Sequence, residues 1–120
     1  MIKTVQIGDK EVTFKSSAAV PHIYRRKFGR DIFIDMDNLQ KNIRKGKNGQ
    51  AELTLDSLEM FENLAYVFAK HADPTGIPED VETWLEQFDT FDIYNILPQL
   101  FDMWSQENKS TSKLKKNNAK

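Results

Sequence analysis

The stretch from Asp56 to Ala72 constrains the fold more than any other. Leu58, Phe61, Ala65, Phe68 and Ala72 recur at alternating spacings of three and four, and Leu64 and Val67 widen the stripe. A helix with so broad an apolar face has to be covered on most sides, so the pattern predicts a central, much-buried helix. Asp56 and Glu59 have capping-box spacing at its start. Asp73-Pro74-Thr75-Gly76 stops it. A chain of 120 residues buries roughly two thirds of its unfolded surface, enough for one modest core around that helix.

The flanking segments read as its partners. Val5 and Ile7 share one face of a strand over 3–7, and Val12 and Phe14 one face of a strand over 11–15. Gly8-Asp9 between them is a hairpin turn signal. A lone hairpin is marginal in water, so this one must pack on helices or pair with another chain. Ser16-Ser17 offers an N-cap, and Pro21 is tolerable only in a first helical turn. Val20, Ile23, Tyr24 and Phe28 follow at helical spacing up to Gly29. Asp31 to Lys45 reads as a second helix with Ile32, Met36, Leu39 and Ile43 on one face. Its acids lie early and its cations late, which suits the helix dipole. Residues 45–50 form a loop.

Pro78 sits well in the first turn of a fourth helix that presents Val81, Trp84, Leu85 and Phe88. Asp89 to Asp92 is a break. A fifth helix carries Ile93, Leu97, Leu100, Phe101 and Trp104, with Pro98 kinking or splitting it. From Asn108 the chain is polar and lysine-rich, which argues for disorder. The expected fold class is therefore mainly α within α+β. It comprises one domain over 1–107, with a hairpin at 3–15, a helical body of about five helices at 17–107, and a disordered tail at 108–120.

Charge is strongly divided. Residues 1–50 hold 11 Lys/Arg and 5 Asp/Glu, a balance of +6; residues 51–108 hold one Lys and 13 acids, a balance of −12. Residues 109–120 add 5 Lys and no acid, which brings the total to −1. Complementary halves can attract within one molecule or between neighbours. The residues expected to carry charge-mediated self-association are Arg25, Arg26, Lys27 and Arg30 on one side, with Glu79, Asp80, Glu82 and Glu86 on the other. The chain has no cysteine, which excludes disulfides and thiolate metal sites. No apolar run approaches the ~20 residues that span a bilayer, and the first residues lack the apolar stretch of a signal peptide. Both observations point to the cytoplasm and away from membranes.

Catalysis finds little support. His22 and His71 are the only histidines, and there is no HExxH, phosphate loop or EF-hand spacing. No cofactor, metal or enzymatic activity is expected. Tyr24-Arg25-Arg26-Lys27-Phe28 mixes cations with aromatics as single-strand binders do. Tyr24 and Phe28 fit the core stripe, however, and the body is acidic, so nucleic acid is not the expected partner. Aromatic crowding is more informative. Six of thirteen aromatics fall between residues 84 and 104: Trp84, Phe88, Phe91, Tyr94, Phe101 and Trp104. Large aromatics beside breaks and chain ends serve as interface anchors, so this set is the candidate partner-binding site.

The order of these segments resembles a known family. The hairpin is followed by Tyr24-Arg25-Arg26-Lys27-Phe28-Gly29-Arg30-Asp31-Ile32-Phe33. Next come Leu64-Ala65-Tyr66-Val67-Phe68-Ala69-Lys70 and Ala72-Asp73-Pro74, then Trp84-Leu85-Glu86-Gln87-Phe88 and Ile93-Tyr94-Asn95-Ile96-Leu97-Pro98. Over residues 1–107 the chain resembles the tail assembly chaperones of siphovirus-type phages and prophages of Gram-positive bacteria. The resemblance implies a protein that binds and solubilises the tape measure protein, self-associates, and leaves as the tail tube forms. It would act in the cytoplasm of the bacterial host and be absent from the mature virion. A frameshifted longer form and the tail tube protein are further candidate partners, and Lys115-Lys116-Asn117 can be encoded by a slippery A-AAA-AAC heptamer. The family defines no catalytic residues. The alternative reading is a structural tail or head-tail connector protein retained in the virion.

Overall fold

The computed structural model describes residues 1–45 and 55–104, the side chains of 42–45 and 55–56 excepted. Strand β1 (Ile2–Ile7) pairs antiparallel with strand β2 (Lys10–Lys15), Val5 opposite Val12 and Ile7 opposite Lys10. That register leaves Gly8-Asp9 as a two-residue turn, in which Gly8 takes a φ of +62° that glycine adopts without steric cost. Strand alternation sorts the side chains. Val5, Ile7, Val12 and Phe14 are buried, while Thr4 and Thr13 face outward and their hydroxyls meet at 3.0 Å.

Helix α1 (Ala19–Phe28) ends at Gly29, which has a φ of +67° and donates its N–H to the Arg25 carbonyl at 2.8 Å. Its start differs slightly from expectation. Ser17 caps from outside the Ala18 position, its Oγ accepting from the Ala19 N–H at 3.2 Å. Helix α2 (Ile32–Lys45) is capped by Asp31, whose Oδ1 accepts from the Phe33 N–H at 2.8 Å. Ile32, Met36 and Leu39 turn inward as their spacing predicts.

Helix α3 (Leu55–Ala72) is the centre of the molecule. Every residue from Leu64 to Ala69 is buried, a helix covered on all sides, and it touches β2, α1, α2 and helix α4 (Val81–Leu85). Asp56 already lies in its first turn, so it is not the N-cap that the capping-box spacing suggested.

The other corrections lie after α3. Pro78 stands outside α4, and Asp80 caps that helix, its carboxylate accepting from the Thr83 N–H at 2.9 Å. The reason is that α3 side chains hold the preceding carbonyls. Tyr66 donates its hydroxyl to the Pro78 carbonyl at 2.5 Å, and Lys70 Nζ donates to the carbonyls of Pro74 and Ile77 at 2.7 Å each. The last helical region is split. A 3-10 turn over Tyr94–Ile96 leads into helix α5 (97–104), with Pro98 in the first turn of α5. Pro98 has no N–H to offer the Tyr94 carbonyl, and the Leu97 N–H takes it in the tighter pattern.

Hairpin and helices share one core, from Val5 and Phe14 through Tyr24 and Phe68 to Trp84 and Trp104. The architecture is α+β, as expected. Among the described residues no helix is long and apolar enough to cross a membrane. The loop at 46–50 and the tail from 108, with the expectations attached to them, lie outside the described residues.

Candidate partner-binding surface

The six aromatics of the 84–104 region go to three kinds of place. Trp84 and Trp104 are core side chains, 0% and 6% exposed. Trp84 meets the edges of Tyr66 and Phe88 at ring-centroid distances of 5.9 and 5.2 Å. Trp104 lies between Phe33 and Phe68, at 5.5 and 6.4 Å. Neither is available as a surface anchor in this fold, which corrects the expectation for both. Phe88, Tyr94 and Phe101 are half-buried against the core. Phe91 alone of the six is open, 75% exposed.

Tyr94 is fixed by chemistry as well as packing. Its hydroxyl donates to Glu62 Oε2 at 2.6 Å, joining the 3-10 turn to α3. That hydrogen bond, then burial and the charge of Glu62, push the phenol up to about 12. Beside it runs a shallow groove in two parts that share Glu82 and Leu85, one between α3 and α4 and the other between α4 and the 3-10 turn. One part is floored by Leu58, Val81 and Leu85 and edged by Glu62 and Glu82. The other continues from Leu85 past Phe88 to Tyr94, with Glu86 and Asp89 on its rim.

The charged residues expected to drive self-association divide by how far the fold already uses them. Arg30 grips Asp35 with two hydrogen bonds, at 2.7 and 2.8 Å. Lys27 Nζ donates to the Glu79 carbonyl at 2.8 Å and stands 5.1 Å from the centre of the Tyr66 ring. Glu79 meets Lys70 at 3.2 Å. Two hydrogen bonds from Thr83, at its N–H and its hydroxyl, hold the Asp80 carboxyl below the usual range. Arg25, Arg26, Glu82 and Glu86 remain exposed with no ion partner among the described residues. Arg30 and Glu79 thus find their ion partners in Asp35 and Lys70, and Lys27 reaches the loop before α4 through a backbone carbonyl.

Sequence reasoning missed two features. Phe33 and Ile34 are 55% and 59% exposed at the start of α2. The signal was present, because three consecutive apolar residues, Ile32-Phe33-Ile34, cannot all share one helical face. The second is a buried carboxylate. Asp35 is 1% exposed and receives both the Tyr24 hydroxyl and the Arg30 guanidinium. Its position next to Met36 and three residues after Ile32 puts it on the buried arc, although its early place in the helix suggested only dipole pairing.

No family model matches the chain, and no curated protein or solved structure matches it. The surface therefore stands on its own geometry: one open phenylalanine, an acid-rimmed apolar groove beside it in sequence, and a separate apolar spot on α2. Among the described residues no group of three or more His, Asp or Glu is placed to hold a metal ion.

Proposed function

We propose that this chain is a tail assembly chaperone, which binds the tape measure protein of a siphovirus-type phage and keeps it soluble until the tail tube forms around it. Phe91 carries the reading: at 75% it is the most exposed large apolar side chain among the described residues, ahead of Ile2, Ile34 and Phe33. Covering one such side chain yields about 1.5–3 kcal/mol, a weak contact by itself. A coat of many copies sums weak contacts into firm holding and still allows stripping. The order of segments over residues 1–107 supports the same reading, as does the half-buried row of Phe88 and Tyr94 next to Phe91. Exposed Arg25 and Arg26 facing Glu82 and Glu86 of a neighbouring copy would supply salt-sensitive self-association. On this reading the protein works in the cytoplasm of the host and is lost before the virion is complete.

Co-expression tests it. The tape measure protein encoded beside this gene should stay soluble with the wild-type chain and precipitate without it, and Phe91→Ser should lower the soluble fraction. Mass spectrometry of purified particles separates the chaperone from a structural tail or connector protein. Absence of the chain supports the proposal, and stoichiometric presence overturns it.

A further inference from the structure

The groove along α4 joins an apolar floor to an acidic rim. Its floor of Leu58, Val81, Leu85 and Phe88 is only half-covered. Of its rim acids, Glu82, Glu86 and Asp89 meet no cation among the described residues, and Glu62 has only the Tyr94 hydroxyl. A ligand for such a groove is a strand of chain with several cations and an apolar side chain between them. Residues 109–120 carry five lysines and no acid, with Leu114 set in Lys113-Leu114-Lys115-Lys116. The rest of the chain between Ala51 and Asn108 offers a single cation, Lys70, and that one is engaged with Glu79 and the loop carbonyls.

Reach permits it. Tyr94 lies at one end of the groove, and a 3-10 turn followed by α5 runs from it to Trp104. At about 1.5–2 Å of rise per residue, that places Trp104 roughly 15–20 Å from the groove end. The further stretch from Trp104 to Lys113 spans up to roughly 30 Å when extended. We propose that the basic C-terminal segment folds back into this groove, Leu114 against Leu85 and Phe88 and the flanking lysines against Glu82, Glu86 and Asp89. The docking does not depend on the chaperone reading. A docked tail and a partner that uses Phe88 and Tyr94 would exclude one another, which makes the tail a competitor for the same surface.

Two measurements on the full-length chain test the proposal. Carbodiimide joins amines to carboxylates only at contact. The tail lysines should join Glu82, Glu86 and Asp89 about fivefold more often than exposed Asp9 and Glu11, the ratio that about 1 kcal/mol of preference produces. High salt should erase the enrichment. Mixing isotope-labelled with unlabelled protein locates the contact: links within one label class support fold-back, and mixed links overturn it in favour of a neighbouring copy. Tail joining to all surface acids alike also overturns it. Secondly, Lys113→Glu is combined with Leu114→Asp, which reverses the charge and removes the apolar side chain that the docking requires. It should shift the amide resonances of Leu85, Phe88 and Tyr94 and leave those of Thr4 and Thr13 in place. Unmoved groove resonances would overturn the docking.

Discussion

The Tyr24 hydroxyl donates to Asp35 Oδ2 at 2.6 Å, a buried bond that ties α1 to α2 across the Gly29 turn. Arg30, in the turn itself, grips both oxygens of the same carboxylate. Burial alone would raise the Asp35 pKa. The hydrogen bonds from Arg30 and Tyr24, with the Arg30 charge, outweigh it and hold the carboxyl below 3.8. Burial first, then the bond to Asp35, drive the Tyr24 phenol well above its usual range.

Tyr24→Phe should therefore destabilise the protein by about 1.5–3 kcal/mol, the range for a hydrogen bond to a charged group. Urea unfolding at neutral pH measures it. The pH dependence has a definite sign. A depressed folded pKa means that the unfolded chain binds the proton more readily, so the stabilisation is complete above 3.8 and is lost as pH falls through the folded value. Asp35→Asn should flatten the acid limb of the stability curve, and an unchanged limb would show that other carboxylates govern it.

His71 should give a second, separate pH dependence. Its Nε2 lies 2.8 Å from Ser17 Oγ at the end of α3. Burial, then the charges of Lys15 and the N-terminal amine, lower its pKa from 6.5. The neutral imidazole is the form the fold favours. Stability should be full above 6.5 and decline as pH drops below it. Melting curves between neutral and mildly acidic pH should show the decline in the wild type and much less of it in His71→Gln.

Phe68 is fully buried in the middle of α3. Phe68→Ala should cost roughly 3–5 kcal/mol, the usual loss for a buried aromatic. A negligible change in the urea midpoint would mean that α3 is not the centre of the core.

The aromatic set should split cleanly under mutation. Trp84→Ala and Trp104→Ala remove core rings and should each cost roughly 3–5 kcal/mol. Phe91→Ser removes an exposed ring and should change stability by no more than about 0.5 kcal/mol while weakening capture of the tape measure protein. Thermal melts and the co-expression assay read the two effects separately. Equal losses of stability at all three positions would put Phe91 in the core.

Self-association should weaken with salt, because it would set exposed Arg25 and Arg26 of one copy against exposed Glu82 and Glu86 of another, acids for which the basic tail competes. Sedimentation at low and high ionic strength is the measurement. A monomer at high protein concentration in both conditions rules the association out.

Where a pattern is local, the sequence already carried it. Val5, Ile7, Val12 and Phe14 alternate with polar neighbours, so the hairpin and its buried face follow from a period of two. The three-four spacing from Leu58 to Ala72 named the central helix, and Pro98 marked where the last helical region had to divide. These depend on backbone geometry and on neighbours a few residues away.

The tertiary structure alone decided which of the late aromatics are open. Trp104 is buried because Phe33 and Phe68 arrive from α2 and α3, and Trp84 because Tyr66 arrives from α3. Phe91 stacks on no other ring among the described residues and stays exposed. The same holds for Asp35, which is buried with its charge because Tyr24 and Arg30 converge on it, and for α4, shortened because Tyr66 and Lys70 hold the carbonyls ahead of it. Spacing along a chain says which residues share a face. What covers that face is set by contacts between distant segments, and those exist only once the chain has closed on itself.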